Sequence, residues 1–177
     1  MELWDLFDKD GNPTGETMVR GTPVPPERYH QVIHICIFNP DGKMLIQHRQ
    51  PFKPTWSGMW DVSVGGAVAA GESVRIAAER EAAEELGYPL DLTDEVPAMR
   101  ITFPDGFDNF YIVERDLDLN RLRYQPEEVL EARWASKEEI FSMIDDGSFI
   151  PYHKSFIEFL FFRRNNSGTR VLGPLQI

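Results

Sequence analysis

The chain has 177 residues, 42% of them hydrophobic, and its 18 Lys and Arg against 29 Asp and Glu give a formal charge of −11. That length supports one sizeable core without demanding two, and the acidic balance argues against a lasting grip on nucleic-acid polymer, where Lys and Arg must neutralise phosphates. The start of the chain, with Glu2, Asp5 and Asp8, has neither a basic run nor an apolar one, so no secretory signal is expected, and no apolar stretch reaches membrane-spanning length.

In chain order, "LWDLFDKDGNPTGETMVR" has two short apolar segments split by Asp10, Gly11, Asn12, Pro13 and Gly15, which predicts an N-terminal hairpin. Pro23, Pro25 and Pro26 then impose an extended connection. Gln31 to Phe38 is nearly continuous and β-branched, and "NPDG" turns it into Lys43 to Arg49, a second hairpin whose first strand reads as the centre of the sheet. Cys36, the one cysteine, falls inside this strand and reads as a small core residue in a reducing compartment, so a cytoplasmic location is expected. Trp60 to Val64 reads as a short strand that Gly65 and Gly66 end. Ser73 to Leu86 has a helical period, with Val74, Ala78, Ala82 and Leu86 on one side and Gly87 in the C-cap position. A third hairpin is predicted from Ala98 to Phe103 and Asn109 to Arg115 around "PDGFD", followed by a strand at "EVLEARWAS". Ser136 and Glu139 form a capping box opening a helix to about Ile144. A last helix over 151–164 is expected to bury Phe156, Phe159, Leu160 and Phe161, and the tail "NNSGTRVLGPLQI" has no usable period.

The chemistry concentrates in "GAVAAGESVRIAAEREAAEELGY". Glu81, Glu84 and Glu85 lie three and four residues apart and so share one helix face. Like charges at these spacings destabilise a helix by roughly 0.2–0.5 kcal/mol per pair. Glu84 and Glu85 also sit in the last turn, where the helix dipole disfavours a carboxylate by about 0.3–1 kcal/mol. Arg80 is the only near basic partner. An acidic solubility face would sit elsewhere, whereas a hard dication such as Mg²⁺ or Mn²⁺ reverses both penalties. Gly65 and Gly66, just upstream, let the backbone turn tightly and approach a cation or phosphates closely, and Glu72 near the helix N-terminus is electrostatically comfortable there.

Gly66, Glu72, Arg80, Glu81, Ala82, Glu84, Glu85 and Gly87 match, in type and spacing, the Nudix box G-x5-E-x7-R-E-U-x-E-E-x-G-U, and the chain resembles the Nudix hydrolase superfamily. Tyr88 departs from the pattern, standing where an aliphatic residue is usual. The resemblance implies an α+β fold, an α/β/α sandwich with a mixed β-sheet and an N-terminal hairpin extension. It implies one domain over 1–177, with 1–30 as the extension and 165–177 as a C-terminal tail. It also implies hydrolysis of a diphosphate linkage in a nucleoside diphosphate derivative or related small metabolite, with Mg²⁺ or Mn²⁺ as cofactor. By position, Glu81, Glu84 and Glu85, with the Gly66 carbonyl, are the implied metal ligands, and Glu72 and Arg80 support them. The general base stays open among Glu81, Glu85, Glu127, Glu128 and Glu131.

The stretches "LWDLFD" and "QHRQPFKPTWSGMWDVSVGG" resemble the branch holding isopentenyl-diphosphate isomerases and their hydrolase relatives. The isomerases carry a cysteine just before the box glycine and a histidine after it; here Gly65 and Ala67 stand at those places, and Phe110 stands where their catalytic carboxylate belongs. His30 aligns with an isomerase metal ligand but lacks its companion, with Pro23 close to that position, and a lone His is more often structural. A hydrolase is therefore expected, with an isomerase-like activity or a non-catalytic nucleotide-binding regulator as alternatives. The branch also makes Arg49 and Lys53, with Gly65 and Gly66, the candidate substrate contacts. Trp56, Trp60, Phe107 and Phe110 fit either a base-stacking surface or the core. The expected partner is a small phosphorylated metabolite rather than a nucleic-acid polymer or a membrane, and a homodimer is compatible with it.

Overall fold

A computed structural model of the chain describes residues 2–165 and Gly168. Met1 and nearly all of the tail 165–177 therefore lie outside the described residues. Nine strands, three α-helices and one short 3-10 helix (Leu119–Arg121) are present among those described: β1 (Leu3–Phe7), β2 (Pro13–Val19), β3 (His30–Phe38), β4 (Met44–Arg49), β5 (Trp60–Asp61), β6 (Val64–Ala67), α1 (Val74–Leu86), β7 (Met99–Phe103), β8 (Gly106–Glu114), β9 (Val129–Ala135), α2 (Lys137–Asp145) and α3 (Lys154–Arg163).

The sheet runs β5-β4-β3-β8-β7, with β6 also paired to β3 and β9 to β4. It is mixed, because β3 and β8 run parallel from His30↔Gly106 to Phe38↔Glu114 while the other pairs are antiparallel. Strand β3 explains the layering. Ile33, Ile35 and Ile37 bury toward α1 with Ala77, Ala78, Ala82 and Leu86. Cys36 and Phe38 bury on the opposite face with Ile140 and Met143 of α2 and Ile157 and Leu160 of α3. A strand covered on both faces is apolar at every position rather than at alternate ones, and the result is the α/β/α sandwich expected from the sequence.

Four local expectations change. The β3–β4 hairpin holds only at its first pair, Phe38↔Met44. Beyond it the strands diverge: the Ser63 hydroxyl accepts from Ile37 N at 2.8 Å and donates to Leu45 O at 2.6 Å, and β4 turns to pair with β9. Gly65 and Gly66 lie inside β6, facing His34 and Ile33, instead of ending a strand at Val64. Strand β8 starts at Gly106, so most of "PDGFD" is strand; a Cβ on Gly106 would fall 2.3 Å from Phe103 Cζ, which is why the tight turn needs glycine there. Finally, α3 buries Ile157 and Leu160 and leaves Phe159 and Phe162 exposed, since the residues that meet the sheet are three apart and Phe159 falls between them.

The β1–β2 hairpin forms its own two-stranded sheet. Asp8 Oδ1 accepts from Asp10 N and Asn12 N, and Gly11 takes φ 84°, which closes the turn. The hairpin docks on the loop before α1 through Ala70 N to Leu3 O at 2.8 Å and Gly71 N to Asp5 Oδ2 at 2.7 Å. Trp4 stacks on His30 with centroids 4.3 Å apart. Residues from the far N-terminus are thereby held beside β6 and α1.

Candidate active site

Helix α1 is closed at both ends by ordinary means. The Ser73 side chain accepts from Ile76 N, and Gly87, at φ 62°, adopts the left-handed cap conformation. Its acidic residues face β6 across a cleft of about 460 Å³ lined by Glu2, Arg20, Gly65, Gly66, Glu72, Arg80, Glu81, Glu84, Glu85 and Glu128, with Ala69 and Gln125. The structure thus brings together all the residues expected to ligate a metal or support its ligands. Six carboxyl groups meet two guanidinium groups in one concavity.

Arg80 organises the acids. Its Nε and Nη2 donate to the two Glu72 oxygens at 2.9 and 3.0 Å, its Nη1 donates to Glu81 Oε1 at 2.8 Å and Glu84 Oε2 at 3.0 Å, and Nη2 also reaches Ala67 O. Hydrogen bonds from Arg80 hold Glu72 below the usual carboxylate range, and the same contacts, Glu72 foremost, raise the Arg80 guanidinium. Glu81 behaves differently: burial pushes it up and outweighs its pairing with Arg80. Glu85 is 3% exposed, and burial, helped by the charge of Glu81, pushes its carboxyl up to about 8. Its Oε2 accepts from Gln47 Nε2 at 3.1 Å and from Gly65 N at 3.3 Å. Glu84 is half exposed at the rim.

Gly66 is fixed by space. A Cβ there would lie 2.1 Å from Glu81 Cδ, so any side chain displaces that carboxylate. With Arg80 bridging Glu81 and Glu84, no three His, Cys, Asp or Glu side chains among the described residues converge closely enough to chelate an ion as they stand. The donor set nevertheless fits a hard dication. Several carboxylates crowd a concavity, two of them driven toward their protonated forms by burial and mutual repulsion, and oxygen donors of this kind are what Mg²⁺ and Mn²⁺ take.

A second chamber of about 300 Å³ shares Arg20, Gly65 and Gly66 with the cleft, and Trp4, His30, His34, Arg49, Trp56, Asp61 and Tyr152 are on its wall. His34 Nε2 lies 2.9 Å from Asp108 Oδ1, and the His34 ring stacks on Phe110. The Tyr152 hydroxyl donates to Asp61 at 3.0 Å. His30 Nδ1, His34 Nδ1 and Arg49 Nε are buried without a hydrogen-bond partner; the His30 ring packs between Trp4 and Phe103, and burial lowers its pKa.

Arg49 is in this chamber, with Nη1 3.6 Å from Asp61 Oδ2. Lys53 lines neither space; it is tied to Glu128 on the rim of the cleft. Of the five candidate bases, Glu81, Glu85 and Glu128 line the cleft, whereas Glu127 and Glu131 are exposed and do not. Trp56 alone among the four candidate stacking aromatics lines the chamber; Phe107 and Phe110 are buried and Trp60 stacks on His48. Sequence reading missed Glu2, Trp4, Arg20 and Gln47. The hairpin residues carry no motif spacing to the helix, so only folding reveals them; Gln47, a polar residue directly after the apolar run Met44, Leu45 and Ile46, was a signal available in the sequence.

Known proteins resemble this chain in sequence and in fold. The family model described as the NUDIX domain matches residues 28–160. The chain is 42% identical over 165 residues to an uncharacterized Nudix hydrolase of Listeria monocytogenes, covering 93% of this chain and 96% of that one. It is 30% identical to an isopentenyl-diphosphate Delta-isomerase of Brevibacterium linens, over 82% of each. The crystal structure of DR0079 from Deinococcus radiodurans superimposes with a TM-score of 0.73 at 25% identity, over 93% of this chain and 100% of that one.

Proposed function

Since this chain belongs to the Nudix family and is a Nudix hydrolase, we propose that it hydrolyses a diphosphate linkage in a small nucleotide-like metabolite with Mg²⁺ or Mn²⁺ as cofactor. The observation that supports this most directly is the cleft itself, where six carboxyl groups meet two guanidinium groups at the end of α1. An anionic diphosphate entering such a cleft is repelled unless a dication enters with it.

Glu81, Glu84 and Glu85, with the Gly66 carbonyl, are the residues we assign to hold the cation. When bound, it supplies positive charge to the diphosphate oxygens and acidifies water at the site. Glu72 and Arg80 act behind these acids: Arg80 orients Glu81 and Glu84 while Glu72 neutralises Arg80 from the far side. We take the base that receives the proton of the attacking water from Glu81, Glu85 and Glu128, the acids that line the cleft. Arg49, on the wall of the adjoining chamber, and Lys53, beside Glu128 on the rim, are the basic groups we assign to substrate. Gly65 and Gly66 leave room between the two spaces.

The isomerase alternative loses support at Gly65, which carries no thiol, and at Cys36, which is fully buried with its thiol pushed far up by burial. We take the chain as one domain in which the extension 1–30 completes the cleft. No helix among the described residues is long and apolar enough to cross a membrane, which fits the cytoplasmic enzyme we propose.

The test is a panel of nucleoside diphosphates, nucleotide sugars, ADP-ribose, dinucleoside polyphosphates and isopentenyl diphosphate, each with Mg²⁺ or Mn²⁺. Hydrolysis of a diphosphate bond is the expected result, and Glu84→Gln is expected to raise the cation concentration needed for half-maximal rate and to lower turnover. Isomerisation, or tight binding without turnover of any compound, overturns the reading; unchanged activity of Glu84→Gln at limiting cation removes Glu84 from the ligand set.

A further inference from the structure

The two guanidinium groups of the cleft are used in opposite ways. Arg80 directs Nε, Nη1 and Nη2 at Glu72, Glu81, Glu84 and a carbonyl, all within 3.1 Å. Arg20 is half exposed and meets the cleft's acids through Nη1 alone, 2.6 Å from Glu2 Oε2. Among the described residues it is also the one charged side chain lining both the carboxylate cleft and the adjoining chamber, which meet at Gly65 and Gly66.

Glu2 is anchored more firmly than its partner. Trp4 Nε1 donates to Glu2 Oε1 at 3.0 Å, Arg20 N donates to Glu2 O at 3.0 Å, and the Trp4 ring is stacked on buried His30. Arg20, on a long side chain with an exposed flank, is the half of the pair able to move. An exposed carboxylate holds a guanidinium weakly, whereas phosphate oxygens offer it a bidentate, charge-assisted contact. Arg20 also lies outside the 28–160 span that the family model matches, so this cation comes from the chain's own N-terminal hairpin.

We propose that Arg20 is a diphosphate-binding residue and that Glu2 is its resting partner, the pair forming a latch that opens when a substrate phosphate takes the place of the Glu2 carboxylate. The proposal rests on the reading of the cleft as a diphosphate site. It makes two residues that touch each other act with opposite sign: removing Arg20 weakens binding, and neutralising Glu2 strengthens it, because Arg20 is then released and one repelling charge is gone.

The experiment is calorimetric binding of inorganic pyrophosphate with Mg²⁺ to the wild-type chain and to Arg20→Gln, Arg20→Lys and Glu2→Gln, alongside KM and kcat on the best substrate of the panel. Arg20→Gln is expected to weaken pyrophosphate binding about tenfold, with KM rising in parallel and kcat nearly unchanged. Arg20→Lys is expected to fall between, since an ammonium keeps the charge and loses the planar fork. Glu2→Gln is expected to tighten binding and lower KM. If the pair merely braces the hairpin, Glu2→Gln weakens binding as Arg20→Gln does, and that result overturns the latch. Equal pyrophosphate affinity in all four proteins, with wild-type hydrolysis intact, overturns the latch and leaves the proposed function standing. Pyrophosphate affinity that follows the predicted order in a protein hydrolysing nothing on the panel supports the latch and overturns the proposed function.

Discussion

Helices α1 and α2 pack on opposite faces of the same sheet, and both end in acids, but only α1 buries one. In α2 the first-turn charges serve the helix: Ser136 and Glu139 cap it reciprocally at 3.2 and 2.7 Å, and Glu138 and Glu139 stand where the dipole favours them, while the acids at its other end, Asp145 and Asp146, are exposed to water, with Asp145 paired to Lys154. In α1 the first turn has no acid and the last turn no base, while Glu84 and Glu85 occupy the unfavourable end with Glu85 fully buried. Both α1 caps are sound, so the misplacement is confined to the face that meets β6. Charges that stabilise their own helix need no outside explanation; charges that destabilise it point to what lies across the cleft.

The sharpest way to break this contrast is to neutralise Glu85. Glu85→Gln is expected to lower kcat/KM by roughly a hundredfold or more, because metal-assisted charge stabilisation amounts to several kcal/mol. Without added cation the melting temperature is expected to hold at neutral pH, where the Glu85 carboxyl, pushed up to about 8, is largely protonated, and to exceed that of the wild type at about pH 9, where the wild type carries a buried carboxylate. A melting temperature several degrees lower, with activity falling only in proportion, would make Glu85 an ordinary structural acid and erase the distinction from α2.

Arg80→Gln lies between the two regimes, since it removes the group that reconciles the acids of α1 with one another. Its loss is expected to cost about 2 kcal/mol of stability, or roughly 4–8 °C in melting temperature for a chain of this size, together with a rate defect. Calorimetry beside steady-state kinetics checks both at once; a purely kinetic effect would show that Arg80 does not hold the acids in place.

The smallest effect belongs to α2. Ser136→Ala removes half of the capping box and is expected to cost about 1 kcal/mol, a drop of about 2–4 °C, with kcat/KM unchanged. A matching loss of activity would mean that the two faces of the sheet are coupled, against the separation drawn here.

The readings that held share a physical basis. Helix α1, its caps and the placing of Glu81, Glu84 and Glu85 along one cleft follow from a repeat of three to four residues, which fixes a face without reference to the rest of the chain. The α2 capping box is local in the same way. Readings that changed depend on which strand meets which. The β3–β4 hairpin is legible at its turn, but its divergence depends on Ser63 inserting between the strands and on β9 arriving from about 85 residues downstream. The partner of Lys53 is likewise absent from its interval before the box: the pairing with Glu128 is decided by the folded cleft.

By itself, then, the sequence determined the layered α+β architecture, the family, and the helix whose acids gather where its dipole resists them, because these are matters of hydrophobic pattern and short-range spacing. Only the tertiary structure decided that an N-terminal hairpin completes the cleft with Glu2 and Arg20, that Gly66 must be small because Glu81 passes beside it, and that burial sets Glu85 apart from its neighbours. Those facts arise where segments distant in sequence close on one another and exclude water, and no periodicity within one segment records that meeting.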